Sequence, residues 1–187
     1  SVMSWRGEQG GIAAAKMQHH VVMTPGTHCY FDHYQADPST EPIAIGGFTT
    51  LKKVYSYEPI PAALPSAFHQ YVLGAQANLW TEYIPTVEQA EYMVLPRMQA
   101  LSEVLWSANE VRNWNSFSSR LQSHLRKFEQ EGWRYCEGNF KVAMKPVLED
   151  HKMRVQLETE SIEDPIYYTL DGSDPSLFSA IYKEPIT

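Results

Sequence analysis

VMSWRGEQGGIAAAKMQHHVVMTPG, residues 2–26, decides the fold class. Residues 2–5 are a short apolar run suited to a buried strand. R-G-E-Q-G-G then breaks it with a glycine-rich turn. The alanine-rich stretch 11–18 favours a two-turn helix. Val21, Val22 and Met23 form the next strand, stopped by Thr24, Pro25 and Gly26. Strand, turn, helix, strand is the βαβ rhythm, which predicts a parallel sheet with crossover connections. The glycines at 7, 10 and 11 have neither the dinucleotide nor the P-loop spacing, which argues against a nucleotide-binding doubly wound fold.

Working outward, residues 27–42 have no clean period, carry five aromatic or histidine rings and two aspartates, and end in a polar loop, ADPSTEP. Residues 48–59 make a short helix ending near Pro59. Residues 72–80, VLGAQANLW, are the third strand. The connection between the second and third strands is long, and long connections in compact domains are usually functional. A helix follows Pro85-Thr86. Ala90, Met93, Val94, Met98, Leu101 and Leu105 give it one apolar face, and Pro96 kinks or divides it. Residues 115–131 form an amphipathic helix with Phe117, Leu121, Leu125 and Phe128 on one side, closed by Gly132. Beyond residue 140 the pattern becomes β: 153–159 alternates, 166–170 feeds an Asp171-Gly172 turn, and 180–185 is another strand.

The chain of 187 residues is 43% hydrophobic, enough for one cored domain with a small appendage. Its 22 acidic and 15 basic residues leave a net charge of −7, unlike the basic surface of a nucleic-acid binder. No apolar run is long enough to span a membrane. The first residues lack the basic and apolar regions of a signal peptide, and both ends read as those of an excised piece. Cys29 and Cys136 give no disulfide framework or metal spacing, and Cys29 is expected to be packed. His19, His20, His28 and His33 match no metal motif.

Polar and aromatic residues cluster where the three strands end, the place where βα folds put their sites. Trp5 and Arg6 end the first strand. His28, Tyr30 and Asp32 follow the second, and Trp80 and Glu82 the third. Carboxylates accept hydrogen bonds from vicinal hydroxyls, and flat rings cover the apolar face of a pyranose. These are the components of a sugar site. On residue types alone, Asp32 and Glu82 also qualify as an acid/base pair for glycoside hydrolysis.

Residues 2–35 resemble the later barrel strands of the family 20 glycoside hydrolases, the β-N-acetylhexosaminidases. GAQANLWTEY (74–83) and the following P-R-x-x-A-L-x-E-x-L-W helix resemble the last strand and helix of that catalytic domain. IYYTLDGSDPS (166–176) is similar to the small β domain appended to such enzymes, including bacterial ones. The resemblance implies an α/β fold: strands six to eight of a (β/α)8 TIM barrel in residues 1–142, then a small, truncated β-sandwich-like domain in 143–187.

The resemblance also implies a retaining, substrate-assisted reaction in which the substrate's acetamido oxygen attacks the anomeric carbon. It assigns Tyr30 to that oxygen, Trp80 and Trp5 to the wall of the acetamido pocket, and Asp32 and Glu82 to hydroxyls at C4 or C6. Arg6 belongs to the same rim. The family's catalytic Asp-Glu pair falls on a strand outside this chain, so the fragment is expected to be inactive alone. Asp32 and Glu82 are thereby no longer the acid/base pair.

No cofactor or metal is implied. The partner is a glycan ending in N-acetylglucosamine or N-acetylgalactosamine, with no nucleic acid and no membrane insertion. A secreted or periplasmic parent fits the family. The alternatives are a packing module that self-associates through open barrel edges, and a carbohydrate-binding tail using Tyr167, Tyr168 and Tyr182, which equally suit a core.

Overall fold

The computed structural model describes residues 1–149, 152–161 and 165–186. The chain divides into two compact units, Ser1–Gly138 and Asn139–Thr187.

The first unit is built on a parallel sheet of order β1-β2-β3, with β1 at Val2–Ser4, β2 at Val21–Met23 and β3 at Val72–Ala75. Helix α1, Gln9–Lys16, makes the first crossover. Its contact with the sheet depends on Gly11, where a Cβ would lie 2.5 Å from Met23 Sδ. The Ser4 hydroxyl fixes the preceding turn, accepting from the Gly11 amide at 2.8 Å and donating to Gly7 O at 2.7 Å. Ala14 and Ala15 on the helix and Val21 and Met23 on β2 are buried, so the central strand is apolar as a covered parallel strand should be.

The third strand is shorter than residues 72–80 predict. Register slips between Val21 and Val22, which pair with Val72 and Gly74, and Gly74 takes φ 133°. A bulge at a glycine ends regular pairing early. Pairing resumes once, as an isolated parallel bridge between Tyr30 and Asn78.

The long connection carries α2 (Gly26–Cys29) and α3 (Leu51–Tyr55), and a 3-10 turn over Ser66–Tyr71. The Thr50 hydroxyl caps α3 by accepting from the Lys53 amide at 3.2 Å. The helix after Thr86 is divided at Pro96 into α4, Val87–Val94, and α5, Arg97–Trp106. Division restarts the helical phase, so the expected single apolar face is corrected. Met93 and Leu101 are buried, but Met98 and Leu105 are exposed, and the covered face of α5 is Arg97, Ala100, Leu101 and Val104.

Helix α6, Trp114–Glu131, buries Phe117, Leu121, Leu125 and Phe128 as its period predicts. Asn113 caps its start, and Gly132 (φ 75°) ends it with the Trp133 amide donating to Phe128 O at 2.8 Å. Tyr55 of α3 stacks on Phe117 at 4.6 Å and donates to Glu103 of α5 at 2.8 Å. Glu103 also pairs with Arg120 of α6 at 2.7 Å, so the three helices share one contact cluster.

In the second unit, β4 (Ala143–Glu149) pairs antiparallel with β5 (Lys152–Glu158), and β6 (Tyr167–Tyr168) with β7 (Ala180–Ile181). Strand β4 has no counterpart in the sequence reading, because Lys145 and Pro146 interrupt its apolar residues. Its burial pattern is almost wholly exposed, so it lacks an alternation to detect. Gly172 (φ 82°) occupies the expected turn, and Asp171 accepts from the Ser173 amide at 3.0 Å. Tyr167, Tyr168 and Tyr182 are half-buried. Among the described residues the strands form two separate pairs, and no closed barrel or sandwich is seen. Among the same residues no helix is long and apolar enough to cross a membrane.

Candidate functional site

Because β1, β2 and β3 are parallel, their C-terminal ends lie along one edge, and backbone hydrogen bonds continue past each strand. The Gly26 amide donates to Trp5 O at 3.1 Å. The Asn78 amide donates to Cys29 O, and the Phe31 amide to Asn78 O, both at 2.8 Å. The segments bearing Trp5, Tyr30, Asp32 and Trp80 are therefore held side by side. Only the polar and aromatic character of these segments was visible in the sequence; the Asn78 bridge that ties two of them was not.

Asp32 is 6% exposed, and its Oδ1 is buried with no hydrogen-bond partner among the described residues. Burial raises its pKa, opposed by hydrogen bonds from its own and the Trp80 backbone amides and by the neighbouring His33. The Glu82 carboxylate is close enough for its charge to push Asp32 further up. A buried carboxylate oxygen without a donor is costly unless water or a ligand supplies one. Glu82 itself is exposed, as are Trp5 and Trp80. The Arg6 guanidinium lies 4.6 Å from the centroid of the Trp5 ring as a cation–π partner.

Tyr30 is half-buried, with its ring 5.6 Å from that of His33. His33 is backed by Gly47 (φ 68°), where a Cβ would lie 2.5 Å from the imidazole. Its Nδ1 is 3.1 Å from Thr49 Oγ1. Burial lowers the His33 pKa, with Arg97 and Lys53 acting in the same direction against Asp32. His33 thus packs against the Tyr30 ring. His28 packs elsewhere. It stacks on Tyr57 at 5.0 Å, and its pKa is lowered by burial first and Lys53 second. The Cys29 thiol is fully buried and pushed up to about 12, which makes it inert at neutral pH. Among the described residues no three His, Cys, Asp or Glu side chains cluster as metal ligands.

The segments that carry Trp5, Tyr30, Asp32 and Trp80 therefore run side by side past the strand ends, with Glu82 two residues beyond Trp80. His33, Gly47 and Thr49 form a supporting layer that spacing did not reveal. Residues 1–109 match the glycosyl hydrolase family 20 catalytic domain. The chain belongs to glycosyl hydrolase family 20. Residues 155–187 match the Fn3-associated family.

The family 20 chain is 42% identical over 193 aligned positions to a beta-hexosaminidase of Porphyromonas gingivalis, covering 100% of this chain and 24% of that protein. It is 34% identical to a beta-N-acetylhexosaminidase of Cellulomonas fimi, over 66% of this chain and 25% of the relative. It thus spans about a quarter of the length of these relatives. A crystal structure of a family 20 exo beta-N-acetylglucosaminidase from Vibrio harveyi, in complex with N-acetylglucosamine, superposes with TM-score 0.63 at 31% identity. That match covers 73% of this chain and 22% of the other. The beta-N-acetylhexosaminidase of Streptomyces coelicolor gives TM-score 0.63 at 26% identity, over 73% of this chain and 29% of that one.

Proposed function

We propose that residues 1–142 are strands six to eight of the (β/α)8 catalytic domain of an exo-acting β-N-acetylhexosaminidase. Residues 143–187 are then part of its small C-terminal β domain. The complete enzyme removes terminal β-linked N-acetylglucosamine or N-acetylgalactosamine with retention. The observation that carries this reading is the buried, unpartnered Oδ1 of Asp32 beside Trp80 and Glu82 at the sheet edge.

In this reading the Tyr30 hydroxyl donates to the acetamido oxygen and holds it at attack distance below the anomeric carbon. That oxygen forms the new bond as the glycosidic bond breaks. The leaving oxygen takes a proton from an acid outside this chain, and water then opens the oxazolinium. Asp32 and Glu82 accept hydrogen bonds from sugar hydroxyls at C4 or C6. Trp80 and Trp5 line the acetamido pocket, keeping water from the forming ring. Arg6 holds the Trp5 indole from the rim.

The complete protein tests this with chromogenic substrates. It should release the chromogen from a β-N-acetylglucosaminide and leave the matching β-glucoside, which lacks the nucleophile, almost untouched. The 187-residue chain alone should release none. Comparable turnover of the two glycosides would exclude the substrate-assisted route. Activity of the isolated chain would show that the catalytic pair is not required or lies within it.

A further inference from the structure

The largest fully buried side chain of the first unit is a cation. Arg97 is 0% exposed and forms no carboxylate ion pair among the described residues. Its guanidinium is instead surrounded by backbone carbonyls. Nη1 donates to His33 O at 3.1 Å and Thr49 O at 2.9 Å. Nη2 donates to Phe31 O at 2.5 Å and to Met93 O, and Nε donates to Met93 O at 3.2 Å. The cation also sits 4.8 Å from the centroid of the Phe31 ring. Burial pulls its pKa down to about 9, which still leaves it charged at neutral pH.

A buried, unpaired guanidinium carries a large desolvation penalty. An apolar residue on this helix face would avoid it, as Ala100, Leu101 and Val104 do. What the arginine adds is geometric. Its rigid fork engages three carbonyls, of residues 31, 33 and 49, at the two ends of the 31–49 loop. Two of them flank Asp32, and the first directly follows Tyr30. Gln35 adds a second tie from the same loop, donating to Tyr92 O of α4 at 2.7 Å.

We propose that Arg97 is a positioning residue for the reaction: it clamps the 31–49 loop onto α5 and so sets the place of the Tyr30 hydroxyl, without touching substrate. This rests on the hexosaminidase reading above.

The test uses the complete enzyme with Arg97→Lys, Tyr30→Phe and the double variant. A lysine keeps the charge and loses the fork. Arg97→Lys should lower kcat on a chromogenic N-acetylglucosaminide by about 10-fold or more in the wild-type background. It should lower kcat by less than about 3-fold once Tyr30 is Phe, because residues acting through one another are non-additive. Equal losses in both backgrounds, or a loss under about 3-fold in the wild type, overturn the proposal.

Hydrogen exchange gives a second readout independent of activity. In Arg97→Lys the amides of Phe31 and Thr49 should exchange faster while those of Val21–Met23 are unchanged; uniform acceleration overturns the clamp. If Arg97→Lys does not fold, wild-type exchange decides, since both loop amides must then be as slow as those of β2. An inactive wild type would refute the hexosaminidase reading and leave the clamp to these amides.

Discussion

Replacing Asp32 with Asn should separate stability from function in opposite directions. In the free protein the Asp32 carboxylate is buried with one oxygen unpartnered. A buried polar atom left unsatisfied costs about 1–3 kcal/mol, and more when charged. Asn keeps the shape and removes the charge, so Asp32→Asn should be as stable as the wild type or more stable by about 1 kcal/mol at pH 7.5. The pH dependence follows from the direction of the shift. The folded-state pKa is raised above 3.8, so ionisation opposes folding. The advantage of Asn is then absent below the unfolded value, appears as pH rises, and is full above the folded pKa. Urea denaturation of both proteins at pH 4 and pH 7.5 measures it. On the proposed reading, the same change in the complete enzyme would remove a charge-assisted hydrogen bond to a sugar hydroxyl. Such a bond is worth about 1.5–3 kcal/mol, or roughly 10- to 150-fold in kcat/KM. A loss of stability above about 2 kcal/mol at pH 7.5 would refute the reasoning, because the carboxylate would then be holding the fold rather than awaiting a ligand.

Three further outcomes follow from particular contacts. Gly47→Ala places a methyl 2.5 Å from the His33 ring at φ 68°, so a loss of about 2 kcal/mol or more is expected in urea melts; a loss below 0.5 kcal/mol would show the loop free to adjust. Cys29 should resist a thiol reagent in the native protein and label only with unfolding, given its burial and a pKa near 12; rapid native labelling contradicts that packing. The isolated chain should self-associate, because β1 and β3 are open edges and Met3, Leu73 and Trp80 are exposed; a concentration-independent monomer mass by light scattering counts against it.

The βαβ start and the α6 helix were legible because their periods are uninterrupted and their stop signals, Pro25-Gly26 and Gly132, are unambiguous. The site residues were legible as a cluster of types at strand ends. Their support was not. His33, Gly47 and Thr49 meet only through the fold of a loop without a period. Arg97 did leave a signal. It occupies the first place of an i, i+3, i+4, i+7 series with Ala100, Leu101 and Val104, where a charge is out of place on a covered face. The sequence reading followed Met98 and Leu105 instead, because it carried the helical phase of α4 across Pro96. Strand β4 escaped for the opposite reason, since an exposed strand interrupted by proline leaves no hydrophobic record.

The bridge between Tyr30 and Asn78 has a consequence for recombination among relatives. Its two backbone hydrogen bonds make residues 27–49 and 76–82 one exchangeable cassette. Grafting either segment alone from another enzyme would place a foreign backbone against Cys29 O or Asn78 O and shift the phenol relative to the indole. On the proposed reading, the two segments would have to be exchanged together to keep the phenol and the indole in register.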